Sequence, residues 1–295
     1  MTSRLQKRLQ NRVNGKTVLI TGASSGIGLT VAHRLADAGA HVLLVSRTKE
    51  TLDQVKQEIE DRGGKASVFP CDLNDLDSID ATSKEILAAT DQIDILINNA
   101  GRSIRRAVHE STERFHDFER TMQLNYFGAV RLVMNILPQM MIRRNGHIIN
   151  ISSIGVLANA TRFSAYVASK AALDAFSRCL SAEVHSHNIA ITSVYMPLVR
   201  TPMIAPTKIY KYVPTLSPDQ AADLIASAII KRPKKVATGL GRLASITYSI
   251  APDINNKLMS IGYNLFPSSS ASVGEQQKLN WVQKAYARLF PGEHW

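Results

Sequence analysis

A strand, a glycine-rich turn and a helix follow one another directly near the start of the chain. Residues 17–20 have the pattern of a buried strand, glycines recur between Gly22 and Gly28, and residues 29–38 have a helical pattern. Glycine lets a backbone approach a pyrophosphate closely, and a helix N-terminus offers free N–H groups and a partial positive charge. The order predicts a dinucleotide-binding site, with an ordinary strand-to-helix turn as the alternative.

Strand patterns alternate with helical patterns as far as about residue 240. Strands are predicted at residues 17–20, 41–45, 66–70, 93–97 and 189–195 and in a stretch that ends at Ile151. Such alternation favours an α/β fold, a doubly wound parallel sheet of the Rossmann type with helices on both faces. The chain of 295 residues, 45% of them hydrophobic, is long enough to bury a large core as a single domain.

We expect this domain to carry an additional segment at each end. The predicted division is a basic amphipathic segment at residues 1–15, the Rossmann-type domain at 16–240 and a helical C-terminal extension at 241–295. In the first segment, Leu5, Leu9 and Val13 share one side of a predicted helix and cations occupy the other. With a net charge of +11 for the whole chain, this helix could lie on an anionic membrane or dock on the domain.

A tyrosine and a lysine stand one helical turn apart in the middle of the chain. Tyr166 and Lys170 have the i, i+4 spacing that places two side chains on one helix face. We expect the ammonium group to lower the pKa of the phenol below its usual value of about 10, so that the tyrosine can exchange protons near neutral pH. Ser153, upstream at the end of an apolar stretch, would complete a proton-donating group. Alone, such a pair is a weak signal, because most Tyr-x-x-x-Lys pairs belong to a solvated helix surface.

Several motifs in order make the pattern specific. The glycine turn has the spacing Gly-x-x-x-Gly-x-Gly, residues 98–101 read Asn-Asn-Ala-Gly, and Asn125 precedes Ser153, Tyr166 and Lys170. In these features the chain, from about residue 16 to residue 201, resembles the short-chain dehydrogenase/reductase family. The resemblance implies hydride transfer coupled to protonation of a carbonyl oxygen.

The resemblance also implies a role for each catalytic residue. Tyr166 would give its proton to the carbonyl oxygen, and Ser153 would hold the substrate. Lys170 would lower the pKa of the tyrosine and hold the ribose of the cofactor. Asn125 would anchor a water molecule that links Lys170 to solvent.

The same resemblance implies a set of cofactor-binding residues. Asp72 and Leu73 would bracket the adenine, and Val199 and Thr201 would meet the nicotinamide amide. The full implied set is Gly22, Ser24, Ser25, Gly26, Ile27, Gly28, Arg47, Asp72, Leu73, Asn98, Ala100, Gly101, Tyr166, Lys170, Val199 and Thr201. One departure from the family is Leu198, which stands where a glycine usually follows proline; its side chain is expected to reach toward the nicotinamide or the substrate mouth.

The end of the second predicted strand indicates which nicotinamide cofactor is used. An acidic residue there accepts the ribose hydroxyls of NAD, whereas a cation suits a 2′-phosphate. Here Ser46 occupies roughly the acidic position and Arg47 follows it. No carboxylate would repel the phosphate, and a guanidinium group could hold it. The pattern favours NADPH, with an exposed loop cation as the alternative reading of Arg47.

The substrate is indicated by a second, narrower resemblance. Residues 101–110, 195–212 and 252–256 and the long C-terminal tail resemble the bacterial aldehyde-forming fatty acyl-CoA reductases of wax-ester synthesis. The likeness covers essentially the entire chain. It implies NADPH-dependent reduction of long-chain fatty acyl-CoA to fatty aldehyde, with release of coenzyme A.

The composition of the loops is compatible with that substrate. An acyl chain needs an apolar trough, and coenzyme A needs cations. The lid predicted at about residues 202–218 carries the apolar residues Met203, Ile204, Ile209, Tyr210, Tyr212 and Val213. The candidate coenzyme A contacts are Arg102, Arg105 and Arg106 after the fourth strand and Lys208 and Lys211 on the lid. Each cationic cluster could instead be an ordinary solvated face.

Two other functions remain open from the residues alone. One is a ketoreductase or hydroxyacyl dehydrogenase of the same family, acting on 3-oxoacyl thioesters or other carbonyls. The other, of a different class, is a cofactor-binding sensor or scaffold without catalytic activity. Fold does not determine substrate.

The remaining expectations concern location and partners. Two cysteines, Cys71 and Cys179, make a disulfide framework improbable, and both are predicted to pack as small apolar residues. With no apolar run of about 18 residues and no signal-peptide pattern, a cytoplasmic protein is expected, with membrane association left open. No metal site and no nucleic-acid partner are predicted. A homo-oligomer is expected through the long helices that the family uses, here about residues 116–142 and 164–187.

Overall fold

The computed structural model describes residues 3–204 and 215–265, except for the side chain of Ser3. Seven parallel strands form one sheet in the order β3-β2-β1-β4-β5-β6-β7. The strands are β1 (Thr17–Thr21), β2 (His41–Ser46), β3 (Lys65–Pro70), β4 (Ile95–Asn98), β5 (Gly146–Ser153), β6 (Ile189–Met196) and β7 (Lys235–Val236). The predicted doubly wound parallel sheet is confirmed.

Helices cover both faces of the sheet and bury two apolar layers. One layer joins the strands to α1 (Ser3–Val13), α2 (Gly26–Asp37), α3 (Lys49–Glu60) and α9 (Pro218–Lys231). The other joins them to α4 (Leu76–Ala89), α6 (Ala129–Arg143) and α8 (Ser164–Glu183). The strand order reverses between β1 and β4, since the chain builds the sheet outward from β1 to β3 on one side and from β4 to β7 on the other. The carboxyl ends of β1 and β4 therefore form the crevice where ligands of such sheets bind.

The helix predicted at residues 116–142 is interrupted. The observed elements are α5 (His116–Met122), a π-helical turn (Gln123–Gly128) and then α6. A side chain at Gly128 would place its Cβ 2.3 Å from the carbonyl oxygen of Leu73, so only glycine allows this approach. The π-helical turn contains Asn125, in keeping with the frequent occurrence of such turns at functional sites.

The N-terminal helix α1 docks on the domain. Leu9 and Val13 are fully buried and belong to the core layer that α9 and α2 share. The apolar side that was predicted to bind either a membrane or the domain is therefore used for packing, and the cations Arg4, Lys7, Arg8 and Arg12 stay exposed.

Two further helices, α10 (Gly239–Ile250) and α11 (Pro252–Leu265), form the described part of the predicted helical extension. A Cβ at Gly241 of α10 would lie 3.1 Å from Ile154 and 3.2 Å from Leu157, which belong to the segment after β5 and its short helix α7 (Gly155–Ala158). The extension therefore packs beside the end of β5. The helical pattern predicted near residues 279–289 lies outside the described residues.

The two cysteines differ in their surroundings. Cys71 is buried at the end of β3, as predicted, whereas Cys179 is exposed. The packing role predicted for Cys179 is wrong, because its position on α8 faces solvent and not the sheet. None of the helices in residues 3–204 and 215–265 is long and apolar enough to span a bilayer.

Candidate active site

The glycine turn between β1 and α2 has a backbone and a close approach that favour glycine. Gly22 and Gly26 have positive φ values of 66° and 56°, which side chains with a Cβ rarely accept. At Gly28 a Cβ would lie only 2.1 Å from the carbonyl oxygen of Gly22. Ser25, at the N-cap of α2, makes no side-chain cap hydrogen bond. The first N–H groups of α2 therefore face an open turn, as an anion-binding helix N-terminus requires.

Asn99 ties this turn to the end of β4. Its amide nitrogen Nδ2 donates to the carbonyl oxygens of Thr21 and Gly22, at 3.0 and 3.3 Å. The Thr21 hydroxyl accepts from the backbone N–H groups of Asn99 and Ala100, both at 3.0 Å. Sequence reasoning had selected Asn98 in place of Asn99. Asn98 is 3% exposed and donates to Asn150 on β5 at 2.8 Å, so it joins strands.

A cavity of about 190 Å³ opens at the carboxyl ends of β1, β4, β5 and β6. The glycine turn forms one side, and the segment that follows β6 forms the other. The lining residues are Gly22, Ser25, Gly26, Ile27, Asn99, Ala100, Gly101, Ile151, Ser152, Tyr166, Lys170, Met196, Pro197, Leu198, Val199, Thr201, Pro202, Met203 and Ile204. The cavity thus brings together most of the predicted cofactor residues with Tyr166 and Lys170.

The other predicted site residues do not line this cavity in the described part of the chain. They are Ser24, Gly28, Arg47, Asp72, Leu73, Asn98, Asn125 and Ser153. Leu73 is 6% exposed and packs in the apolar layer with α4 and α6. Arg47 is exposed, and hydrogen bonds from Asn74 lower the pKa of Asp72, with the charges of Arg47 and Arg102 adding to the effect.

Tyr166 and Lys170 lie on the first turns of α8 and are both buried. The Lys170 ammonium group donates to the carbonyl oxygen of Ile151 at 2.8 Å, and burial lowers its pKa to about 8. Burial raises the pKa of Tyr166, and a hydrogen bond with Ser153 offsets only part of this rise. The structure therefore does not show the expected lowering of the tyrosine pKa by Lys170, because burial of the phenol raises that pKa.

Ser153 is held in place at the end of β5. It is 1% exposed, and its hydroxyl accepts from the backbone N–H of Gly155 at 3.1 Å. The preceding residue, Ser152, lines the cavity, and its buried hydroxyl has no hydrogen-bond partner among the described residues. Sequence reasoning missed Ser152, although the Ser-Ser doublet at the strand end was a visible signal.

Asn125 connects the loop after β4 to α8. Its Oδ1 accepts from the N–H of Arg102 at 2.8 Å, and its Nδ2 donates to the Arg102 carbonyl and to the Ser169 hydroxyl, both at 2.9 Å. The Ser169 hydroxyl in turn donates to the carbonyl oxygen of Tyr166 at 2.7 Å. Asn125 thereby ties the backbone at Arg102 to the helix that carries Tyr166.

The segment after β6 closes the cavity with an apolar wall. Leu198 is 1% exposed and lines the cavity, as predicted for this departure from the family. Its carbonyl oxygen accepts from the N–H of Leu216 at 2.9 Å, which joins the two ends of the predicted lid. Met203 and Ile204 line the cavity. The lid residues Lys208, Ile209, Tyr210, Lys211, Tyr212 and Val213 lie outside the described residues.

The cations predicted to contact coenzyme A have different surroundings. Arg102 and Arg105 are half-buried in the loop after β4. The guanidinium group of Arg106 forms an ion pair with the buried Asp117, with Nε and Oδ2 3.5 Å apart. Arg106 is thus part of a structural ion pair, a partner that the sequence pattern did not reveal.

Comparison with known proteins decides the family. Residues 16–209 match the sequence model of the family described as short chain dehydrogenase. The chain belongs to the short-chain dehydrogenase family. Its glycine turn, Asn125, Ser153, Tyr166 and Lys170 are the motifs that had indicated this family.

Relatives within the short-chain dehydrogenase family extend over the whole chain. It is 75% identical, over 295 residues and 100% of both chains, to a fatty acyl-CoA reductase of Acinetobacter baylyi. It is 46% identical, over 248 residues and 84% of each chain, to a fatty acyl-CoA reductase of Mycobacterium tuberculosis. Among solved structures it resembles a metagenomic short-chain oxidoreductase in complex with NADP, with a TM-score of 0.67 and 30% identity over 77% of this chain and 98% of that one.

Proposed function

We propose that this protein is an NADPH-dependent fatty acyl-CoA reductase that forms a fatty aldehyde and releases coenzyme A. The observation that carries the proposal is the 75% identity, across its full length, to the fatty acyl-CoA reductase of Acinetobacter baylyi. The arrangement of Tyr166, Ser153 and Lys170 at the end of an apolar cavity supports it. The domain division into residues 1–15, 16–240 and 241–295 is retained as part of the proposal.

The residues of the cavity fit a dinucleotide. The close approach of Gly28 to Gly22 and the open N-terminus of α2 suit a pyrophosphate. At the end of β2, the buried hydroxyl of Ser46 has no hydrogen-bond partner in the part of the chain that the structure describes, and Arg47 is exposed beside it. These two residues suit a ribose 2′-phosphate, in agreement with the NADP bound by the metagenomic relative. When bound, NADPH supplies the hydride.

Tyr166 is proposed to protonate the carbonyl oxygen of the thioester. Negative charge develops on that oxygen as the carbonyl is reduced, and donors placed beside it lower the barrier. Because burial raises the pKa of Tyr166, the phenol keeps its proton until the oxygen becomes basic enough to take it. The Ser153 side chain forms a hydrogen bond with Tyr166 and would orient the carbonyl oxygen of the thioester.

Lys170 is proposed to replace the proton that Tyr166 gives away. With a pKa of about 8, its ammonium group is mostly protonated at neutral pH and yet able to lose a proton. A Cβ at Gly101 would lie 3.2 Å from the Lys170 nitrogen and from Oδ1 of Asn125, so these polar groups converge on one point of the loop after β4.

A thioester requires one step that a ketone does not. After reduction the former carbonyl carbon still carries sulfur, so the carbon–sulfur bond must break before an aldehyde can leave. As the C=O bond reforms, the hydroxyl proton would return to Tyr166 while Tyr166 passes its own proton back to Lys170, and the departing thiolate would take a proton from solvent. The apolar wall formed by Met196, Leu198, Met203 and Ile204 offers a surface for the acyl chain.

The test is an assay of the purified protein with NADPH and acyl-CoAs of graded chain length, following free thiol and aldehyde together. One thiol and one aldehyde per NADPH consumed are expected. Consumption of NADPH with a 3-oxoacyl thioester and no thiol release would identify a ketoreductase instead. No oxidation of NADPH with any carbonyl would favour the scaffold function. Tyr166→Phe should abolish most turnover while NADPH binding persists.

A homo-oligomer is proposed through α6 and α8. Large apolar side chains are exposed on the π-helical turn and α6, as expected for a surface that a second copy covers. They are Phe127, Met134 and Ile142. A cytoplasmic location is retained as a proposal. Leu9 and Val13 of α1 lie in the core, so this helix no longer supports the predicted membrane contact.

A further inference from the structure

Three arginines surround the buried carboxylate of Asp117 in the first turn of α5. We propose that Arg106, Arg114 and Arg120, held by Asp117, bind the 3′-phosphate of the coenzyme A substrate. The inference rests on the proposed function, whose substrate class it makes more specific. The site adds Arg114 and Arg120 to the coenzyme A contacts predicted from sequence, and it gives Arg106 a partner, Asp117.

The carboxylate of Asp117 organises the cluster. Its residue is 2% exposed. The Nε atoms of Arg114 and Arg106 lie 2.9 and 3.5 Å from Oδ2, and Arg120 donates to Oδ1. The three arginine side chains themselves are between 36% and 49% exposed. A buried anion thus holds three guanidinium groups at the surface with donors still turned to solvent.

The charges of this cluster do not balance. Three guanidinium groups share one carboxylate, which leaves an excess of two positive charges, and the ring of His116 lies 3.4 Å from Oδ1. Of the other acids in this stretch, Glu110 accepts a hydrogen bond from the backbone N–H of Ala107, with 3.3 Å between Oε2 and the nitrogen. Glu113 and Glu119 form no ion pair within the described residues. A phosphomonoester carries close to two negative charges at neutral pH and suits the planar fork of arginine.

The cluster lies at the edge of the sheet where the reaction would occur. The backbone N–H of Arg106 donates to the carbonyl oxygen of Arg162 at 2.7 Å, in the segment that leads into α8 and Tyr166. α5 packs directly on α8. The nucleotide end of coenzyme A would therefore rest outside the cavity, on the loop after β4, while its thioester end reaches Tyr166.

The buried anchor is what separates this cluster from ordinary surface charges. An exposed ion pair contributes little free energy, because its side chains must be ordered and water screens its charges. Here Asp117 has already ordered the arginines, so a phosphate would meet donors that are in place before it binds. Asp117 is in this sense a positioning residue.

The experiment compares fatty acyl-CoA with the same thioester of dephospho-coenzyme A, which lacks only the 3′-phosphate. The variants are Arg114→Gln, Arg120→Gln and both together. Arg62→Gln is the matched control, because Arg62 is also paired with a carboxylate, Asp37, but near the ends of α2 and α3. In the wild type and in Arg62→Gln, the KM for acyl-CoA should be roughly tenfold or more below the KM for the dephospho thioester, the effect of a hydrogen bond to a charged group. In the double variant this difference should vanish.

Several results would overturn the site. Equal KM values for the two thioesters in the wild type would exclude it. A double variant in which both KM values rise by the same factor would also exclude it. The same holds if the double variant changes the oligomeric state but not the ratio of the two KM values. Binding of adenosine 3′,5′-bisphosphate, measured by calorimetry, provides a readout that needs no turnover. If acyl-CoA is not reduced at all, the proposed function fails, whereas loss of bisphosphate binding in the double variant alone would still support the site.

Discussion

The guanidinium group of Arg162 lies 3.9 Å from the centre of the Tyr263 ring. Arg162 precedes α8, is 8% exposed and has a φ of 63°. A left-handed backbone at such a residue costs about 1–3 kcal/mol and persists only where its surroundings hold it. Tyr263 belongs to α11, and its hydroxyl lies 3.4 Å from Nδ1 of His109 on the loop after β4. The C-terminal extension thus braces the segment that positions Tyr166.

Tyr263→Leu is expected to lower kcat several-fold, because loss of a cation–π contact worth about 0.5–2 kcal/mol frees Arg162 and the start of α8. Tyr263→Phe keeps the ring and should retain most of the activity. Steady-state kinetics of both variants test this, with Tyr248→Leu on α10 as the control. An unchanged kcat in Tyr263→Leu, or equal losses in the Leu and Phe variants, would contradict a role for the ring.

Gly28→Ala is expected to weaken NADPH binding by roughly tenfold or more. The new Cβ would lie 2.1 Å from the Gly22 carbonyl oxygen, so the turn that faces the pyrophosphate must shift. Gly239→Ala is the control, since no atom of residues 3–204 or 215–265 lies within 4 Å of its Cβ position. Titration of NADPH fluorescence gives both dissociation constants. Equal affinities for the two variants would show that the turn tolerates the methyl group.

Local sequence patterns were sufficient to predict the fold. β1, β2 and β5 are buried, so their apolar residues stand next to one another and identify them without tertiary information. β7 has only two residues, Lys235 and Val236, and no local pattern indicates a strand there. It exists because β6 offers an edge with which it can pair.

The details of the site depend on contacts that no local pattern contains. At the end of β4, the side chain of Asn99 contacts the glycine turn and that of Asn98 contacts β5, and the sequence alone does not distinguish the two. The direction of the pKa shift of Tyr166 follows from its burial, whereas the spacing to Lys170 reveals only a neighbouring charge. The exposure of Cys179 likewise depends on which face of α8 meets the sheet.

The double variant Ser46→Asp, Arg47→Leu is expected to reverse the preference for NADPH over NADH. A carboxylate at the end of β2 would accept ribose hydroxyls and repel a 2′-phosphate, and the exposed guanidinium group would be gone. Arg47→Leu alone should weaken NADPH use about tenfold while NADH use changes little. The ratio of kcat/KM values for the two cofactors measures the effect, and a ratio equal to that of the wild type would remove Ser46 and Arg47 from the cofactor site.

Protein stability is expected to fall as the pH drops below about 6.5, partly because of His147. This residue on β5 is 3% exposed, its Nε2 lies 2.9 Å from the Thr192 hydroxyl, and burial lowers its pKa to about 3. Between these two pH values the unfolded chain binds a proton that the folded chain excludes, so unfolding is favoured by up to about 1.4 kcal/mol per pH unit. Urea unfolding at pH 7, 6 and 5 should show a smaller decrease in the free energy of unfolding for His147→Gln. His185→Gln, an exposed control, should keep the wild-type slope; identical slopes in all three proteins would mean that His147 does not contribute.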